Sequence, residues 1–167
     1  MTRSYLYSPW RLDYILGEKP GDCVMCRARD TEHDLENLIL YRGKHAYVML
    51  NRYPYNNGHL MIVPFAHVRN IGDLDPDSWQ EACQLLILCE KAYHLAYHPD
   101  GINVGINLGQ AAGAGIAEHL HIHMVPRWNG DSNFMSVVSG ERVIPEAFEI
   151  SYERLRTQIL KLVNPDE

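Results

Sequence analysis

The residues best equipped for chemistry are three histidines in a row of alternating type, His119-Leu120-His121-Ile122-His123-Met124-Val125. Side chains on a strand point to opposite faces with a period of two, so His119, His121 and His123 share one face while Leu120, Ile122 and Met124 turn towards a core. A neutral imidazole, with an ordinary pKa near ~6.5, is a competent nucleophile towards an electrophile such as phosphorus, and its neighbours can move a proton. One histidine on a half-exposed strand is usually an incidental polar residue. Three in register point to chemistry, the more so behind the run Gly109-Gln110-Ala111-Ala112-Gly113-Ala114-Gly115, whose small residues let backbone N–H groups approach phosphate oxygens. A row of strand histidines also suits a catalytic metal centre, but such a site usually recruits a carboxylate, and Glu118 falls on the opposite face from His119.

A second group is Cys23-Val24-Met25-Cys26, the spacing of a zinc-knuckle half-site or a redox pair. No thioredoxin-like pattern surrounds it, which leaves metal ligands or plain thiols. Cys83 and Cys89 lie on different faces of an apolar helical segment and are expected to be buried small hydrophobes.

Positioning these groups is the task of the remaining elements. Leu38–Tyr41 and Ala46–Leu50 read as two strands joined by a tight turn, and His59–Pro64 as a third, after the loop Asn51–Gly58. Asp75-Pro76-Asp77-Ser78 opens a helix with an N-cap carboxylate and a proline in the first turn. Its stripe of Trp79, Ala82, Cys83, Leu86, Tyr93 and Tyr97 should lie on a sheet. Ile102–Asn107 reads as a fourth strand, the histidine row as the fifth, and Ser151–Val163 as a final helix presenting Leu155, Ile159 and Leu162. Residues 1–22 read as an aromatic arm with a helical turn near Arg11–Leu16, 27–37 as a polar linker, and 129–167 as a C-terminal extension carrying the last helix. The sum is a single α+β domain over 1–167: a five-stranded antiparallel sheet with one long helix and a C-terminal helix on one side.

Length and charge narrow the functions. A chain of 167 residues can bury a real core, and a formal charge of -6 argues against gripping duplex nucleic acid through its phosphates. No apolar run is long enough to span a bilayer and no signal-like stretch follows Met1, so a cytoplasmic protein without membrane contact is expected.

The row His119 to Val125 matches the motif of the histidine triad superfamily of nucleotide hydrolases and transferases. Asn51 through Pro64 resembles that family's first nucleotide-binding segment, and Asn107-Leu108-Gly109 its second. Ser8-Pro9-Trp10-Arg11, Arg127-Trp128 and Gly130 through Met135 are similar to the bacterial branch related to diadenosine tetraphosphate phosphorylases and hydrolases. The resemblance implies that His121 attacks the α-phosphorus of a nucleoside polyphosphate or phosphoramidate, giving a nucleotidyl-histidine that water or phosphate resolves. His123 would serve the leaving oxygen, and His59 would support the triad from the neighbouring strand. Asn51 would hold the ribose, and Asn107 with the backbone of Gly113, Ala114 and Gly115 the phosphate oxygens. It further implies a structural zinc on Cys23, Cys26, His67 and His119, no organic cofactor, and a homodimer through the helix and strand around Trp79–Asn107. Where many members carry a polar Gln or Ser shortly before the triad, this chain has Gly115-Ile116-Ala117. That loss leans towards hydrolysis, with phosphorolysis beside it and a nucleotide-binding module without turnover as the reading from another class. Trp128 either stacks a base or packs.

Overall fold

Alternating apolar segments pair into one sheet because each strand has a side to bury on both faces. The computed structural model describes residues 23–131 and 146–165. Its strands are β1 (Ile39–Arg42), β2 (Ala46–Leu50), β3 (Leu60–Pro64), β4 (Gly101–Gly105) and β5 (Ile122–Arg127), and its helices α1 (Val24–Arg29), α2 (Pro76–Ala96) and α3 (Phe148–Val163). The sheet runs β1-β2-β3-β5-β4, every neighbouring pair antiparallel. The expected α+β architecture is therefore present, with the triad strand β5 between β3 and the edge strand β4.

Register sorts the side chains. Val48, Ile62 and Ile122 line up across β2, β3 and β5, as do Met49, Met61 and His123 one step along. Adjacent steps face opposite ways. The Val48 face carries the main core, with Leu40, Leu60, Met124 and the buried sides of α2 and α3. The Met61 face carries a smaller cluster of Ile39, Tyr47 and Val63 beneath Met25 and Ala28 of α1.

That second cluster corrects the expectation of helices on one side only: α1, within the Cys23–Cys26 knuckle and the start of the polar linker, covers the triad face. A six-residue helix has almost no stability of its own. Tertiary contacts hold it. The Tyr47 hydroxyl donates to Met25 O at 2.8 Å, and Arg42 donates to Ala28 O, Arg29 O and Thr31 O at 3.1, 2.8 and 2.7 Å, satisfying the carbonyls at and just beyond its C-terminal end.

The opening of α2 is as read: Asp75 accepts from Ser78 N at 2.9 Å and from Ser78 Oγ at 2.6 Å. The buried stripe is centred slightly differently, on Ser78, Ala82, Leu85, Cys89, Ala92 and Tyr93. Trp79, Cys83, Leu86 and Tyr97 flank it half-buried, so of the two helical cysteines only Cys89 is a core residue. The fourth strand ends at Gly105 rather than Asn107, and the regular part of the fifth begins at Ile122. The N-terminal arm, with its expected turn near Arg11–Leu16, and the segment Ser132–Met135 lie outside the described residues. No helix among those described is long and apolar enough to cross a membrane.

Candidate functional site

The triad is divided between two surroundings. Leu120 N donates to Val68 O at 2.7 Å and brings the chain alongside the segment after β3. His119 is buried there, its Nε2–H donating to Pro64 O at 2.9 Å. Its Nδ1 faces a cluster: 3.4 Å from Cys23 Sγ, 3.5 Å from Cys26 Sγ and 3.2 Å from His67 Nδ1, with Cys26 Sγ 3.2 Å from His67 Nδ1. All four ligand atoms lie within 4.8 Å of one another. A tetrahedral zinc with Zn–S near ~2.3 Å and Zn–N near ~2.05 Å requires N···N edges of about 3.3 Å and N···S edges of about 3.5 Å. The four observed edges, 3.2 to 3.5 Å, are close to these values, and the bond from His119 to Pro64 O is the kind of outer contact that orients a metal-ligating imidazole. These residues can therefore hold a metal ion, and with four protein ligands the site is closed. Burial pushes the His119 pKa down to about 4, which keeps its ring neutral as a ligand must be. Among the described residues this potential metal group includes neither His121 nor His123, which speaks against the catalytic-metal alternative.

His121 sits two residues on, almost entirely buried, with Nδ1 2.8 Å from the carbonyl oxygen of His119. A carbonyl only accepts, so Nδ1 carries the proton and the lone pair of the neutral ring is on Nε2. Burial also lowers the pKa of His121, favouring that neutral form. The ring of His123 packs edge-on against it at 4.8 Å between centroids.

A relay fixes His123 in turn. Tyr55 N donates to His59 Nδ1 at 3.0 Å, so His59 carries its proton on Nε2 and donates it to His123 Nδ1 at 3.0 Å. His123 is thereby set with its own proton on Nε2. His59 is fully buried, and desolvation, reinforced by His123 and His121, pushes its pKa down to about 3. Asn51 joins from the end of β2, with Nδ2 3.4 Å from His59 Nδ1 and Oδ1 accepting from Tyr53 N at 2.9 Å. The loop tightens at Gly58, where φ is +69° and a Cβ would stand 2.8 Å from the Tyr97 ring.

His121 and His123 open onto a cavity of about 400 Å³ between α1 and the sheet. Its apolar side comes from Met25 and Ala28 of α1, from Met49 and Met61 of the sheet, and from Ile116; Asn51 and Asn37 add polar groups. Of the expected phosphate-binding group, Gly115 lines the cavity, whereas Asn107, Gly113 and Ala114 are not part of its lining among the described residues. Gly113 turns the chain there with φ of +91°. Trp128 packs: its ring meets Tyr97 edge-on at 6.0 Å, and Nε1 donates to Tyr97 O at 3.4 Å. Sequence reasoning missed the α1 wall, Asn37 and the methionine floor. Met49 and Met61 were legible only as alternating strand residues, and Met25 and Ala28 as an apolar pair at helical spacing.

With this geometry in place, similarity to known proteins decides the family. A model of the HIT domain matches residues 32–130, more than half of the chain. The chain belongs to the HIT family. AP-4-A phosphorylase of Mycobacterium tuberculosis is 38% identical over 164 residues, covering 92% of this chain and 83% of that protein. Bis(5'-adenosyl)-triphosphatase of Saccharomyces cerevisiae is 35% identical over 91 residues, covering 54% of this HIT chain and 44% of the yeast protein. A Zn-bound histidine triad family protein from Mycobacterium smegmatis superposes with a TM-score of 0.69 at 27% identity, covering 87% of this chain and 98% of that one. The protein is accordingly an enzyme of the HIT family.

Proposed function

We propose that this HIT protein cleaves a dinucleoside polyphosphate at its α-phosphate through a covalent nucleotidyl-histidine. The observation that carries the reading is the tautomer of His121. With Nδ1 donating to His119 O, the Nε2 lone pair is the ring's nucleophilic position, beside a cavity large enough for a nucleotide. Nε2 attacks the α-phosphorus and the bond from phosphorus to the bridging oxygen breaks. His123 Nε2–H, set by the His59 relay, donates a hydrogen bond to the departing oxygen and stabilises the charge that develops on it. An incoming oxygen nucleophile then attacks phosphorus as the phosphorus–nitrogen bond breaks, its proton passing to the released phosphate or to solvent and His121 returning to its neutral form. Asn51 holds the ribose. The backbone around Gly115 holds phosphate oxygens, with Asn107, Gly113 and Ala114 completing that cradle as the substrate seats. Similarity to a phosphorylase over most of the chain favours orthophosphate as the incoming nucleophile; the apolar Ile116 in the cavity wall, where a polar contact would help hold phosphate, favours water.

Zinc at Cys23, Cys26, His67 and His119 belongs to the same reading, supported by the cluster's edges and by the Zn-bound relative. When bound there it supplies rigidity and no reaction chemistry. A cytoplasmic setting fits, because thiolate ligands are kept reduced there. A homodimer through α2 and β4 completes the proposal.

The deciding experiment mixes the protein with diadenosine tetraphosphate labelled at the α-phosphorus and quenches in alkali. Wild type should retain an acid-labile adenylyl adduct and His121→Asn should retain none. Equal labelling of both, or turnover by His121→Asn within about tenfold of wild type, would reject the covalent route. Product analysis with and without orthophosphate separates the two acceptors.

A further inference from the structure

The cavity crosses the sheet. His123 pairs with Met61, Met61 with Met49, and Met49 with Ile39, so from the triad to β1 the row covers three strand spacings, about 14 Å at ~4.8 Å each. That is the scale of an extended nucleoside 5′-phosphate. If phosphorus sits at His121 and ribose at Asn51, as the proposed function places them, the base lies over Met49 beneath α1. The wall there is closed by Asn37, two residues before β1 and half-buried.

The amide of Asn37 has only one orientation. One of its atoms is 2.9 Å from Thr31 Oγ1 and 2.9 Å from His33 O. The His33 carbonyl can only accept, and the Thr31 hydroxyl spends its proton on Ala28 O at 3.3 Å, so it accepts too. The amide nitrogen must therefore face both, and Oδ1 is the group the amide has left for the cavity. No donor among the described residues occupies it. The charged residues of the cavity wall, Arg27 and Arg52, offer only N–H groups, and Arg52 donates to Glu36 O at 2.8 Å.

We propose that Asn37 determines base specificity: its Oδ1, held as an acceptor by Thr31 and His33, selects a purine bearing a 6-amino group over one bearing a 6-oxo group. A 6-amino group donates to Oδ1. A 6-oxo group brings a second acceptor against it and leaves both short of a partner, which is the stronger means of discrimination.

The test compares diadenosine with diinosine tetraphosphate as substrates, and AMP with IMP as ligands measured by calorimetry. Wild type should favour the adenosine member of each pair by about tenfold, the size of one hydrogen bond at a half-exposed site. Asn37→Ala should bring both ratios within about twofold of one by losing on the adenosine side. Thr31→Val keeps Asn37 but removes one of the two acceptors that orient its amide, leaving His33 O alone to hold it, and should lower both ratios in a protein that melts normally; it decides the matter should Asn37→Ala fail to fold. Equal handling of the two bases by wild type would overturn the proposal, as would an unchanged ratio in folded Asn37→Ala or in Thr31→Val. If neither dinucleotide is cleaved, the proposed activity fails while AMP and IMP still read the base selectivity.

Discussion

At the scale of single residues, the proposed chemistry depends on where three protons sit. The His119 carbonyl puts one on His121 Nδ1; the Tyr55 amide, through His59, puts the others on His59 Nε2 and His123 Nε2. His59 does not line the cavity onto which His121 and His123 open, so its part is to position His123. Replacing His59 with phenylalanine keeps the bulk and removes its hydrogen bonds to Tyr55 N, Asn51 and His123. We expect kcat on diadenosine tetraphosphate to fall by about 10- to 100-fold with KM moved far less, because the hydrogen bond from His123 strengthens only as charge develops on the leaving oxygen. A nitrophenyl adenylate, whose leaving oxygen delocalises its own charge, should recover most of the rate in steady-state assays. Equal losses on both substrates would remove His59 from the support of the leaving group. Loss of the hydrogen bond from Tyr55 N to His59 Nδ1 should also cost about 1 kcal/mol in a denaturant melt. The triad itself was legible in the chain because alternation is a local pattern. The proton positions were not, since they depend on a backbone carbonyl and an amide that only folding brings to the rings. Asn37 was hidden for the same reason: within a polar stretch its amide has no distinguishing neighbour, and its orientation is set by Thr31 and His33 across a turn.

At the scale of elements, α1 joins the metal cluster to the cavity. Cys23 caps it, Cys26 lies within it, and Met25 and Ala28 wall the cavity from its other side. Its six residues carry too little propensity to stand alone, and this is why the sequence shows a knuckle and a linker where a helix exists. The long helix was legible by contrast, because Asp75-Pro76 opens it and its apolar period persists over 21 residues. If zinc ties α1 to the sheet, a strong chelator should lower hydrogen-exchange protection over 24–29 and weaken AMP binding by about tenfold. Adenylylation of His121 at saturating substrate should persist, since a closed site offers no coordination position to the reaction. Loss of the adduct at saturation, restored by zinc, would instead move the metal into the chemistry. The residues that grip α1 independently of metal, Arg42 and Tyr47, explain why affinity rather than the fold is expected to suffer.

At the scale of the whole molecule, the sheet formed by the described residues is covered at one edge and open at the other. β1 ends against the loop from α1 and against α3, where Arg156 donates to Leu40 O at 3.2 Å. Among the described residues no strand lies beyond β4, and Gly101, Asn103, Val104 and Gly105 along it are exposed. An uncovered edge invites pairing with another chain unless charge or proline blunts it, and Gly101-Ile102-Asn103-Val104-Gly105 carries neither. Ile102 and Ile106 pack against the main core, but Val104 between them is 53% exposed, and Ile87 and Leu95 on α2 are exposed to 55% and 53%. This open edge and these apolar residues are what a second copy would cover, joining β4 to β4 around a twofold axis so that the triads lie on one continuous sheet. Wild type should sediment as a dimer at micromolar concentration, and Val104→Lys combined with Ile87→Glu should shift it to monomer with an unchanged circular dichroism spectrum. A wild-type monomer at that concentration, or a doubly charged variant that stays dimeric, would leave the open edge of β4 without the role assigned to it.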